Sequence, residues 1–154
     1  MLLAVHPRID RWRHRGSYVR HDVGGSSLWI RRSSAKLIET LSSLAEERLD
    51  PNESLLAVPT LAELLPILRR RSAVYDTYCL YPASERDQER MLRSIEAEQV
   101  RLAFVSDEAV DGREKLRFSH THPLVWKHLE AEFERLELSS LPPHFHVLYR
   151  DLPV

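Results

Sequence analysis

The stretch RFSHTHPLVW, residues 117–126, sets His120 and His122 one residue apart, and a second alternating pair, His144 and His146, lies near the C-terminus. Neutral imidazoles are ligands for zinc and copper, and an imidazole that titrates near neutral pH can move protons. On extended chain each pair would project to one side, so two pairs meeting in space would furnish four nitrogens. Spacing specific for a metal needs cysteines or a helical His pair four apart, and neither occurs. Pro123 offers a local alternative. Its fixed φ and missing N–H suit the first turn of a helix, with Thr121 or His122 placed to cap the free N–H groups. We expect a helix start here and assign no metal.

A second group is acidic: Asp107, Glu108 and Asp111 follow the apolar run RLAFVS. Carboxylates there could serve acid/base work or hold a cation through oxygen. The ordinary alternative is a solvated turn, bent at Asp111-Gly112. If strand ends bring the two groups together, Asp107, Asp111, His120 and His122 form a candidate ligand site. The four glycines, Gly16, Gly24, Gly25 and Gly112, fit no phosphate loop, and no G-x-S-x-G elbow occurs. Cys79 has no base near it in sequence. No catalytic residue and no cofactor is assigned.

These residues must be held by an α/β scaffold. Around Gly24-Gly25, β-prone residues predict a hairpin of Tyr18–Val23 with Leu28–Arg31. Ser33 or Ser34 would cap a helix to about Leu49, on which Leu37, Ile38, Leu41, Leu44 and Ala45 repeat at helical spacing. SLLAVP, residues 54–59, and RLAFVS, residues 101–106, are short apolar runs of the kind buried on both faces of a parallel sheet. Thr60 and Glu63 read as a capping box for a helix that Pro66 kinks or shortens and that Arg69 to Arg71 end. Residues 73–82 read as a strand or an aromatic irregular segment. Ser84 with Asp87 caps a helix to about Gln99, a further helix runs from Pro123 to Leu136, and HFHVLYR closes the chain as a strand. Alternating strands and helices imply an α/β fold of three layers, a mostly parallel sheet with helices on both faces and an N-terminal β-hairpin.

At 154 residues, 43% hydrophobic and 29% charged, the composition is that of one globular domain. The apolar start Met1–Val5 is far short of the ~20 residues that cross a bilayer, and no signal-peptide cleavage pattern follows it. Residues 1–20 hold Arg8, Arg11, Arg13, Arg15 and Arg20 against Asp10 alone, a net +4, so with −1 overall the remainder carries −5. We divide the chain into a basic arm, residues 1–16, flexible or bound to a partner, and one α/β domain, residues 17–154. Such an arm is ordinarily solvated; its functional reading is attraction to phosphate, in lipid headgroups or nucleic acid. The three tryptophans and five tyrosines are scattered and make no stacking platform in a basic groove.

The run LWIRRSSAKLIETLSSLAEERLDPNESLLAVPTLAELLPILRRRSAVYDTYCLYP, then VRLAFVSD, DGREKLRFSHTHPLVWKHLEAEFERLE and HFHVLYR, resembles the soluble C-terminal region of bacterial multi-pass membrane glycosyltransferases, the dolichyl-phosphate-mannose mannosyltransferase-like proteins and their relatives. The resemblance spans roughly residues 17 to 150 and its motifs are loose. It implies an accessory domain on the extracytoplasmic side that covers the membrane site, binds an acceptor or docks a partner. The family's catalytic acids lie between membrane helices, so no catalytic role carries over. Where those helices would precede, this sequence has the arginine-rich arm, which implies a fragment or a module serving in a larger assembly.

The leading expectation is a non-catalytic accessory module that docks on a membrane-embedded complex and is peripherally membrane-associated. Arg8, Arg11, Trp12, Arg13 and Arg15 would meet the partner or anionic headgroups. The alternative is a small enzyme or ligand-binding domain working at the strand ends. Nucleic-acid binding rests on the arm alone.

Overall fold

A computed structural model of the protein describes residues 15–23, 26–139 and 141–152. Arg8, Arg11, Trp12 and Arg13 of the arm, and the Gly24-Gly25 turn, lie outside the described residues. β1 (Tyr18–Val23) and β2 (Ser26–Arg31) pair antiparallel as the sequence predicts, in register from Tyr18 opposite Arg31 to Val23 opposite Ser26, and form a separate two-stranded sheet. β2 runs straight into α1 (Arg32–Arg48), so Ser33 and Ser34 fall inside the first turn and Arg31 occupies the cap position without a side-chain cap hydrogen bond to the helix.

β3 (Ser54–Val58) follows, then the one-turn α2 (Leu64–Ile67), β4 (Arg71–Ser72), α3 (Glu85–Ala97) and β5 (Leu102–Ser106). The expected Thr60–Glu63 capping box does not form. Residues 61–65 make tight turns through Leu64 N–H to Leu61 O and Leu65 N–H to Ala62 O, and Pro66 sits within the single helical turn that is left. Arg70 follows its own helix, its N–H donating to Leu65 O at 2.9 Å, while its side chain reaches across to carbonyls at the end of α1, Ala45 O at 3.1 Å and Leu49 O at 3.2 Å. At α3 the cap is as expected, with Ser84 accepting from Asp87 N–H.

The chain then passes through two 3₁₀ turns, α4 (Phe118–Thr121), α5 (Pro123–Glu132), β6 (Glu134–Arg135) and β7 (Phe145–Tyr149). α5 ends before the expected Leu136 because Glu134 and Arg135 pair with Tyr149 and Leu148. The five-stranded sheet has the order β4-β3-β5-β7-β6. It is mixed and not mostly parallel: β3 is parallel to β4 and β5, whereas β7 is antiparallel to β5 and β6. Among the described residues no helix separates β6 from β7, and the two strands pair directly as antiparallel neighbours.

β3 and β5 are buried at every position. Leu55, Ala57, Leu102 and Phe104 join Leu41 and Ala45 of α1 and Leu64 of α2 in one cluster. The alternate residues Leu56, Val58, Ala103 and Val105 join Met91 and Ile95 of α3 and Val125 and Leu129 of α5 in another. The pleat thus sends successive side chains into separate cores. Phe104 is fully buried, with its ring centroid 6.3 Å from that of Phe145. Phe104→Ala is expected to cost about 3–5 kcal/mol in urea denaturation, and a loss below about 1 kcal/mol would contradict this packing.

Candidate functional site

Because β4, β3 and β5 run parallel, their carboxyl ends share one edge of the sheet, and three loops leave it there: residues 59–63, 73–83 and 107–117. The path from β3 out to β4 and back to β5 on the other side of β3 makes the β3/β5 junction a topological switch point, where open α/β sheets bind ligands.

The 73–83 loop is irregular and carries Tyr75, Tyr78 and Tyr81, all exposed. Its course is fixed from within. Ser72 Oγ donates to Val74 O and accepts from Val74 N–H, and Cys79 Sγ donates to Asp76 O at 3.1 Å. Ala83 N–H donates to Thr121 O at 3.1 Å, tying the loop to α4. Gln88, buried on α3, completes the tie. Its Nε2 donates to Ala83 O at 3.0 Å, and its Oε1 accepts from Leu124 N–H at 2.9 Å. That second bond caps α5, so the capping expected of Thr121 or His122 is done by a side chain from another helix. His122 does occupy the cap position, ahead of Pro123 in the first turn, but without a side-chain cap bond.

Between this loop and α3 lies a cleft of about 350 Å³, walled by the three tyrosines with Cys79, Arg90 and His122. His122 is 5% exposed, its ring stacked on Phe118 at 4.9 Å. His122 Nδ1 lies 3.0 Å from Thr121 Oγ1, whose hydroxyl is also 3.4 Å from Phe118 O. Burial lowers the His122 pKa, against an opposing pull from Asp76, and keeps the ring neutral. Burial, helped by Asp76, pushes the Cys79 thiol up to about 12, so it is a packed thiol and not a nucleophile.

A second cleft, of about 410 Å³, opens at the switch point itself, lined by Thr60, Glu63, Tyr78, Ser106, Glu108 and Asp111 among others. Tyr78 lines both clefts.

The four residues singled out from the sequence are not brought together. His122 lies in the first cleft and Asp111, at φ 53°, in the second. Asp107 turns to α4, accepting from Ser119 N–H at 2.8 Å and Ser119 Oγ at 3.1 Å. His120 is exposed, with Nδ1 2.7 Å from Glu114 O. The histidine pairs stay apart as well: His144 Nε2 faces Glu108 at 3.5 Å, and His146 meets the Trp126 ring edge-on at 5.1 Å. Among the described residues no three His, Cys, Asp or Glu side chains are placed to hold a metal ion, and no helix is long and apolar enough to cross a membrane. The sequence reading missed Gln88 and the tyrosine loop. The spacing of Tyr75, Tyr78 and Tyr81 in a segment of uncertain structure was the available signal for the loop, whereas nothing local marks Gln88 as buried.

Set against protein-family models, curated proteins and solved structures, the chain matches none of them.

A histidine whose folded pKa lies below its unfolded value of about 6.5 binds fewer protons folded than unfolded. Its contribution is fully present above that value and is lost as the pH falls through the folded one. NMR titration of the His122 ring is expected to give a midpoint below 6.5, with stability falling as the pH drops below about 6.5 and less steeply in His122→Gln. A midpoint above 6.5 would contradict the site as described.

Proposed function

We propose that the protein is a non-catalytic docking module, a subunit of a membrane-embedded assembly, and that it engages a protein partner through the tyrosine loop. The observation that carries this reading is the exposure of Tyr75, Tyr78 and Tyr81, at 104%, 60% and 74%. A tyrosine ring brings large rigid contact area with few rotors to freeze and a hydroxyl that can bond at its tip, and such residues dominate the energetics of interfaces. Here the rings stand on a loop braced by Gln88 and Thr121, so docking would order little that is not already ordered. The His122 ring borders the cleft behind them. Three-layer packing, with helices on both faces of the sheet, fits the two separate hydrophobic clusters and leaves the carboxyl edge as the recognition surface.

The resemblance to C-terminal regions of membrane glycosyltransferases supports a partner of that kind, with the module peripheral on the extracytoplasmic side. The +4 arm with Trp12 suits anionic headgroups or an acidic partner surface beside it.

Purified protein is expected to bind bacterial membrane vesicles saturably and to lose that binding when the vesicles are treated with protease. Replacing Tyr75, Tyr78 and Tyr81 together by Ala should weaken it about 10-fold or more, with the thermal unfolding curve unchanged. Equal binding of the triple variant, or equal binding to protein-free liposomes, would overturn the proposal.

A further inference from the structure

The β1–β2 hairpin carries a face that the docking reading does not use. We infer that this face lies against an anionic bilayer surface, with its guanidinium groups on lipid phosphates and the Trp29 indole at headgroup level. Such a contact rests on the membrane setting of that reading, but through a surface other than the tyrosine loop.

In an antiparallel pair, residues opposite each other point to the same side, and so do alternate residues along each strand. The register therefore gathers Tyr18, Arg20, Asp22, Ser27, Trp29 and Arg31 on one face, and Val19, His21, Leu28 and Ile30 on the other. The second face meets α1: Ile30 is buried, and His21 Nδ1 stands 3.5 Å from Glu39 of that helix. The first is turned away from α1. Arg20, Asp22, Ser27, Trp29 and Arg31 are all exposed on it, and Arg20 Nε donates to Ser27 Oγ across the strands. Trp29, directly opposite Arg20, leaves 47% of its surface exposed.

Charge selects the occupant. Residues 16–36 hold Arg20, Arg31, Arg32 and Lys36, all exposed, against Asp22 alone, a net +3. Residues 37–154 hold 14 basic and 21 acidic side chains, a net −7. A negative surface attracts the hairpin and repels the rest of the domain, so its field turns the hairpin toward it. A second copy presenting the same face is opposed by like charge. Guanidinium groups fork onto phosphate oxygens, a chemistry that lipid and nucleic acid share. Trp29 decides between the two: one indole gives bases no succession of stacking positions, whereas an indole set among arginines matches the membrane interface, where such rings lie at headgroup level.

Binding of the full chain at low salt to protein-free vesicles of phosphatidylcholine with about one third phosphatidylglycerol is the test. It is expected to be weaker than binding to native membranes, to fall steeply as salt screens the charges, and to vanish on pure phosphatidylcholine. Arg20→Gln and Arg31→Gln should each weaken it about 5-fold, and Lys127→Gln, which removes an exposed cation from α5, should leave it unchanged. In a chain carrying Trp12→Phe and Trp126→Phe, the fluorescence of Trp29 should be quenched by lipid brominated near the top of its acyl chains, a readout that needs no substitution in the hairpin. Replacing Tyr75, Tyr78 and Tyr81 by Ala should leave vesicle binding unchanged, so the lipid contact and the docking reading fail separately. No binding to the anionic vesicles, equal binding to pure phosphatidylcholine, unquenched Trp29 in the bound chain, or equal losses in Arg31→Gln and Lys127→Gln would each overturn the inference. So would arginine variants that weaken binding to duplex DNA while binding vesicles like the parent.

Discussion

The parallel pairing of β3 with β5, both strands buried at every position, is the constraint on which the other elements depend. Along the two strands Leu55 and Phe104 share a hydrophobic cluster with residues of α1 and α2, and Leu56 and Val105 share another with residues of α3 and α5. Fixing the direction of β3 and β5, together with β4 beside them, brings three carboxyl ends to one edge. The loops that carry the tyrosines and the carboxylates therefore start from rigid strand ends.

Polar groups then set the loops with backbone bonds. Gln88 joins the start of α5 to Ala83, Thr121 O receives Ala83 N–H, and Asp107 receives Ser119 at the head of α4. Each is a buried or half-buried group that would cost about 1–3 kcal/mol if left without a partner, so the arrangement is specific as well as stable. Asp107, which reads as chemistry in the sequence, is one of these braces. His122 joins brace and cleft: its Nδ1 meets Thr121 Oγ1 and the residue lines the first cleft.

How much of this was legible in the sequence follows from the range of each interaction. Local signals were sufficient for SLLAV and LAFVS, for the β1–β2 hairpin, for Ser84 as a cap and for Pro123 at a helix start. One failure is a local competition between turns, and the others involve partners distant in sequence. The Thr60–Glu63 box gave way to tight turns beside Pro66, the Arg70 side chain bonds the end of α1, and Gln88 took the capping role expected of Thr121 or His122. The direction of β7 was also out of reach, because the short β6 before it leaves no local trace. For the site, the carboxyl edge and its acidic loop were readable from strand order and composition. Which of Asp107, Asp111, His120 and His122 face a common space was not, since that depends on the turns of residues 107–122.

The central claim is that the carboxyl edge, and not the opposite edge of the sheet, meets the partner. A photo-crosslinking amino acid placed at position 78, on the shared wall of the two clefts, and separately at position 52, in the turn before β3 at the other edge, measures it directly in native membranes. A discrete protein adduct from position 78 and none from position 52 is expected. Adducts from position 52 alone, or none from position 78 while the protein stays membrane-bound, would contradict it.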